Sequence, residues 1–210
     1  MKILSIETTS DRASVAYLEQ DKILAEAVIE ERLTAKDTLL ANVRNVLSAG
    51  SVSLNDINLM VCGVGPGSFT GIRLGIAFIK GVLTGIEGLE ACGVISNDSI
   101  GFSCASEGYN SGKKIISIVD SKTGRSYVRK YSSKGDPLGE INLLPDEEIE
   151  KESTDFYPVG IFSKNLENIF AGKRIIRPDA GISGKMAFKG MRNINIKPLY
   201  IMDFISGGKK

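Results

Sequence analysis

Ile3-Leu4-Ser5-Ile6-Glu7-Thr8-Thr9 is an apolar strand that ends in an acid and two hydroxyls, and Ile115-Ile116-Ser117-Ile118-Val119-Asp120-Ser121 repeats the pattern half a chain later. In both places a turn follows and then a return strand, Ala13 to Leu18 in the first half and Arg125 to Tyr131 in the second. Convergent strand composition also produces matches this short. Taken with the order of the elements around it, the repeat predicts two copies of one unit.

That order is readable outward from the first strand. Lys2 to Ile6, Ala13 to Leu18 and Ile23 to Ile29 read as an antiparallel meander. The period then becomes helical at Leu39, Leu40, Val43, Val46 and Leu47, with Thr34 as a cap and Gly50 as a stop. A strand at Leu59 to Val64, a second helix from Ser68 to Ile86 with Ile72, Ile76, Ile79 and Leu83 on one stripe, and a strand at Leu89 to Ile95 complete the first half. The expected fold class is α/β, a duplicated ribonuclease-H-like fold of mixed sheets flanked by helices. The expected subdomains are residues 1–105 and a shorter, divergent 106–210, joined by the polar, glycine-rich stretch near Ala105 to Gly112. In the second half, short strands are expected at Leu138 to Leu143, Phe156 to Phe162 and Arg174 to Ile176. Short helices are expected near Asp146 to Glu152, Asn165 to Phe170 and Asp179 to Met191, before a disordered tail at Gly207 to Lys210.

Composition removes several kinds of chemistry. The 210 residues contain no histidine, which excludes a Ser-His-Asp or Cys-His relay and imidazole-bound zinc or iron. With 26 Lys+Arg against 25 Asp+Glu the net charge is +1, too little to hold phosphate backbones by bulk field. Any nucleic-acid role therefore needs a partner or a local patch. Cys62, Cys92 and Cys104 form no CxxC pair and read as reduced core thiols, which fits the cytoplasm. The N-terminus lacks the form of a signal peptide, and the apolar stretch Ile72 to Ile95 is broken by Arg73, Lys80, Glu87 and Glu90, so no membrane association is expected.

Three local features could carry function. Gly65-Pro66-Gly67-Ser68-Phe69-Thr70-Gly71 lies on a strand-to-helix turn, where glycine lets backbone approach a ligand or a neighbour and helix N–H groups attract anions. It is neither a Walker loop nor GxGxxG, so ligand binding and close packing stand level for Gly65, Gly67, Ser68 and Thr70. The following helix has small residues at Gly71, Gly75, Ala77, Gly81 and Gly85. Each helical glycine costs about 1 kcal/mol relative to alanine, so a compensating contact is expected, and a helix-to-helix protein interface is favoured over internal packing because Phe78 adds an aromatic off the stripe. Glu7, Thr8 and Thr9 could hold magnesium or phosphate, although an ordinary polar turn is the simpler reading; Asp120 and Ser121 are the matching pair. The acidic run Asp146 to Glu152 reads as a solvated helix face.

Ile3 to Leu18, Gly65 to Gly75 (GPGSFTGIRLG) with Lys80-Gly81, Asp120 to Tyr127 and Pro198-Leu199-Tyr200 together resemble the bacterial TsaB (YeaZ) family, over nearly the whole chain. The resemblance implies a small duplicated actin/Hsp70-type (ASKHA) protein that is a non-catalytic activating partner of TsaD in forming threonylcarbamoyladenosine on tRNA. It implies TsaE as a further component and TsaC, or its relative Sua5, as the supplier of threonylcarbamoyl-AMP. It also implies a homodimer when free, tRNA engaged through the complex, no cofactor for the chain alone, and ATP with magnesium in the assembled complex. TsaD itself holds a metal through two histidines, which this chain lacks. The family's interface falls here on Leu39, Leu40, Val43, Val46, Leu47, Gly71, Ile72, Gly75, Ile76 and Ile79. Two departures stand out: the first helix opens with Ala35-Lys36-Asp37, where many members have a His-Ser start, and Glu7 replaces the usual Asp. The alternative function is an ASKHA-type ATPase or small-metabolite phosphotransferase, for which the sequence offers the Asp120 echo and no adenosine motif.

Overall fold

The computed structural model describes residues 1–30, 32–193 and 195–201, without the side chains of 32–37. The first half contributes β1 (Lys2–Glu7), β2 (Ala13–Glu19), β3 (Lys22–Ile29), α1 (Arg32–Ala49), β4 (Leu59–Gly65), α2 (Phe69–Leu83) and β5 (Glu90–Ile95). Its strands form one sheet in the order β3-β2-β1-β4-β5, antiparallel from β3 to β1 and parallel from β1 to β5. The central strands are apolar almost without alternation because both of their faces are covered. Leu4, Ile6, Met60 and Cys62 pack beneath α1 and α2. Ile3 and Val61 pack on the other face against α6 (Ala180–Phe188), which comes from the far end of the chain. Each such fully buried Leu or Ile contributes roughly 1.5–3 kcal/mol of transfer free energy.

The second sheet holds β6 (Lys114–Asp120), β7 (Arg125–Tyr131), β8 (Asn142–Pro145) and β9 (Phe156–Ile161), in the order β8-β7-β6-β9. β7 is antiparallel to both β6 and β8, and β9 is parallel to β6. This repeats the β3-β2-β1-β4 order of the first sheet with β6 in the place of β1. The repeated sequence motif is thus the central strand of each sheet, and the fold is a duplicated ribonuclease-H-like one. α4 (Asp146–Glu152) and α5 (Lys164–Ile169) supply Ile149 and Leu166 to the core of this sheet.

Between the sheets lies α3 (Ser96–Ser106), which the sequence did not announce. Its buried positions include Ser96, Asn97, Ser99 and Gly101, so it shows no apolar stripe. Ile100 and Cys104 pack into the second half's core, and polar groups tie the helix to both layers. Ser96 Oγ donates to Thr9 Oγ1 (2.8 Å) in the first half, while Asn97 Nδ2 donates to Ser117 Oγ (2.9 Å) and the Tyr127 carbonyl (3.1 Å) in the second. Asp98 accepts from Arg129 Nη1 (2.8 Å) and the Tyr131 hydroxyl (2.7 Å).

Other expectations shift in detail. α1 starts at Arg32, which places Thr34 inside the helix, with a side chain outside the described residues. α2 stops at Leu83 rather than Ile86, and the strand expected at Leu138 to Leu143 appears at Asn142–Pro145. Arg174 to Ile176 makes only a single bridge, Ile175 to Gly160. The acidic run is not a uniformly solvated face: Asp146 is buried and accepts from the Ser126 and Ser163 hydroxyls. Cys62, Cys92 and Cys104 are free and buried. The tail at Gly207 to Lys210 lies outside the described residues.

Candidate functional site

The C-terminal ends of β1 and β6 open onto one cavity of about 350 Å³ between the two sheets. Duplication brings the two acid-and-hydroxyl turns together there, Thr9-Ser10-Asp11 on one wall and Asp120-Ser121-Lys122 on the other. Their carboxylates are already engaged. Asp120 accepts from the Lys122 backbone N–H (2.7 Å) and pairs with Lys122 Nζ (2.7 Å), and Asp11 is gripped by Arg177 through Nε (2.7 Å) and Nη2 (2.8 Å). The Arg177 hydrogen bond holds the Asp11 carboxyl below its usual range.

Glu7 is absent from this cavity's lining. Its side chain is wholly buried beside Gly63, where Oε1 accepts from the Thr9 N–H (2.7 Å) and Oε2 has no hydrogen-bond partner. Burial pushes its pKa up to about 7, against the lowering effect of the Thr9 hydrogen bonds. Thr8 is buried as well, and its hydroxyl points to α2 rather than into the cleft.

The glycine loop approaches its own chain closely. Ser68 N–H donates to the Thr9 carbonyl (2.6 Å), and Gly67, at φ +150°, lies where any Cβ would overlap that same oxygen. A Cβ at Gly71 would overlap the Thr8 carbonyl. Ser68 Oγ caps α2 by accepting from Gly71 N–H (2.9 Å). Gly67 and Ser68 line the cleft, Gly65 sits under the Leu199 carbonyl, and Thr70 is exposed.

Of the expected interface residues, Leu39, Val43, Val46, Leu47, Gly71, Ile72, Gly75, Ile76 and Ile79 are buried within the chain, most of them in the core under α1 and α2. Leu40 is the exception, half exposed. The outward face of α2 is made instead by Phe69, Arg73, Ala77, Lys80 and Gly81, flanked by half-buried Leu74 and Phe78. A Cβ at Gly81 would meet nothing within 4 Å among the described residues, so its small size serves no contact with them. Phe69, Arg73 and Tyr200 form one cluster that the helical period did not single out: Arg73 lies 3.7 Å over the Phe69 ring and donates to the Tyr200 hydroxyl (3.1 Å). Among the described residues no His, Cys, Asp and Glu group is arranged to hold a metal ion, and no helix is long and apolar enough to cross a membrane.

Residues 28–151 match the family model described as TsaD, tRNA N6-adenosine threonylcarbamoyltransferase, across more than half of the chain. The chain belongs to that family, in its TsaB (YeaZ) branch. The TsaB protein of Escherichia coli is 30% identical over 131 residues, which cover 62% of this chain and 55% of that protein. The Bacillus subtilis TsaB is 25% identical, covering 71% of this chain and 62% of that one. The aligned part of the chain thus spans 55% and 62% of the lengths of these two relatives. A solved Pseudomonas aeruginosa protein, described as similar to the peptidase YeaZ, superposes with a TM-score of 0.79 at 19% identity, over 96% of this chain and 99% of that one. At that identity the likeness concerns the fold.

Proposed function

We propose that this chain is a non-catalytic, activating subunit of a TsaD-containing complex that transfers threonylcarbamoyl from threonylcarbamoyl-AMP to the tRNA adenosine 3′ of the anticodon. TsaE completes the complex and TsaC or Sua5 supplies the activated group. The observation that carries the reading is the outward face of α2, where Ala77 is exposed and Gly81, which would meet nothing within 4 Å among the described residues, offers close backbone approach. Leu40 on α1 is likewise exposed and is assigned to the same interface. The same surface pairs two copies when TsaD is absent.

The alternative, an ATPase or phosphotransferase acting alone, would need carboxylates free to hold Mg²⁺-nucleotide in the cleft. Asp11 and Asp120 are ion-paired and Glu7 is enclosed, so the residues present do not fit that group, and ATP with magnesium is assigned to the partner. Reconstitution tests both readings. The purified chain is expected to modify no tRNA by itself and to restore modification to a TsaD, TsaE and TsaC mixture that lacks it. Failure of that add-back would remove the proposal, and heat of ATP binding to the isolated chain in magnesium would restore the alternative.

A further inference from the structure

Arg12, Arg174 and Arg177 line one surface cavity of about 250 Å³. Arg12 comes from the turn between β1 and β2, and Arg174 and Arg177 from the segment between α5 and α6, so the tertiary fold alone assembles them. Arg174 lies 3.9 Å over the Tyr109 ring and, among the described residues, has no carboxylate partner. A guanidinium held by stacking keeps its in-plane N–H donors free for an anion. Arg177 gives Nε and Nη2 to Asp11 and retains Nη1. Arg12 meets Asp179 and Glu30 only at 3.8 and 4.0 Å, beyond hydrogen-bond length.

One acid near Arg12 is a weaker counter-charge than its formal charge suggests: burial of Glu26, together with the neighbouring Asp179, raises its pKa to about 7. Lys173, the chain neighbour of Arg174, stacks 5.1 Å over the Tyr157 ring. Ile175, Ile176 and Ile182 give the lining an aliphatic part, Ile175 being half exposed, and Ser103 and Asp179 complete it.

We propose that this cavity is an RNA contact, in which Arg12, Arg174 and Arg177 take phosphodiester oxygens while Tyr109 and Ile175 cover a ribose or base. The mixture of forked cations with aromatic and aliphatic surface suits a nucleotide chain better than a free anion, which needs no apolar wall. It also supplies the local patch that a chain of net charge +1 requires in order to touch RNA. The inference goes beyond subunit pairing, since it gives this chain a contact of its own with the substrate class of the proposed complex.

The test measures binding of a fluorescent tRNA transcript to the full-length chain across a salt series, for the wild type, Arg174→Gln and, as a remote control, Lys164→Gln. Arg174 has no ion pair among the described residues to lose, and thermal melting confirms that the variant is folded. Arg174→Gln is expected to weaken tRNA binding about fivefold near 50 mM salt and to flatten the log-log salt slope by about one. Lys164→Gln is expected to match the wild type, and inorganic phosphate at about 10 mM to compete no better than chloride of equal ionic strength. No tRNA binding by the wild type, equal loss in both variants, or specific competition by phosphate would each overturn the proposal. The add-back assay is read separately: a wild type that binds tRNA through Arg174 but fails add-back would sink the subunit reading and leave the RNA contact standing.

Discussion

The Thr8 hydroxyl donates to the Gly71 carbonyl at 2.7 Å, across 63 residues of sequence and with both groups buried. It fastens the end of β1 to the first turn of α2, next to the Ser68 to Thr9 backbone hydrogen bond. The glycine-rich motif and the Glu7-Thr8-Thr9 turn are therefore two sides of one internal joint. Thr8→Val keeps the shape and removes the donor. It is expected to cost about 1–2 kcal/mol in urea unfolding, and a loss of less than a few tenths would show that the joint is held by packing alone.

Gly75 and Gly81 are separated by their surroundings. A Cβ at Gly75 would stand 2.7 Å from Thr8 Oγ1 and 3.2 Å from Cys62 Sγ, whereas Gly81 has nothing within 4 Å. Gly75→Leu is expected to destabilise the chain by about 3 kcal/mol or more through overpacking, which removes it as a clean probe of pairing. Gly81→Leu should leave the melting temperature equal or higher, because leucine is the better helix former, while lowering association with TsaD in sedimentation by about tenfold or more. Unchanged association of folded Gly81→Leu would remove α2's outer face from the interface.

Glu7 makes stability depend on pH with a definite sign. Its carboxyl titrates near 7 in the folded chain against an ordinary value of 4.5, so the folded state keeps the proton over that window. Its contribution is fully present below pH 4.5, declines as pH rises to about 7 and is level above that, a change of roughly 3 kcal/mol. Glu7→Gln removes the titration and should be more stable than the wild type at pH 8 but not at pH 5. Parallel pH profiles for the two proteins would refute this.

Asp98 joins α3 to the second sheet by accepting from both Arg129 and Tyr131. Asp98→Ala leaves a largely buried guanidinium without its counter-charge and is expected to cost about 3 kcal/mol, measured by chemical denaturation. Asp98→Asn, which retains an acceptor, should recover part of the loss. If both variants lie within about 0.5 kcal/mol of the wild type, the polar clasp between the halves contributes little.

Much of the architecture was legible because strand and helix periods are local. The meander of the first half, both long helices, the repeated central strand and Asp146–Glu152 follow from residues that lie near one another in sequence. α3 was not legible: it is wedged between two layers, and its buried positions mix Ile100 and Cys104 with serines, a glycine and an asparagine, several of which bond outward, so no continuous apolar stripe marks it. The outward face of α2 was half legible, since small residues reveal close approach without saying to what. Gly71 and Gly75 approach Thr8, and Gly81 approaches nothing among the described residues.

The sequence by itself determined the duplicated plan, the exclusion of histidine chemistry and the family, because composition, periodicity and an eleven-residue motif are all linear properties of the chain. Tertiary structure decided which groups remain available. It enclosed Glu7, tied Asp11 to Arg177, and carried Arg174 from one end of the chain to the cavity that Arg12 lines at the other. The physical reason is that burial and charge pairing depend on distances between residues far apart in sequence, and only the packing of α3 and α6 against the sheets sets those distances.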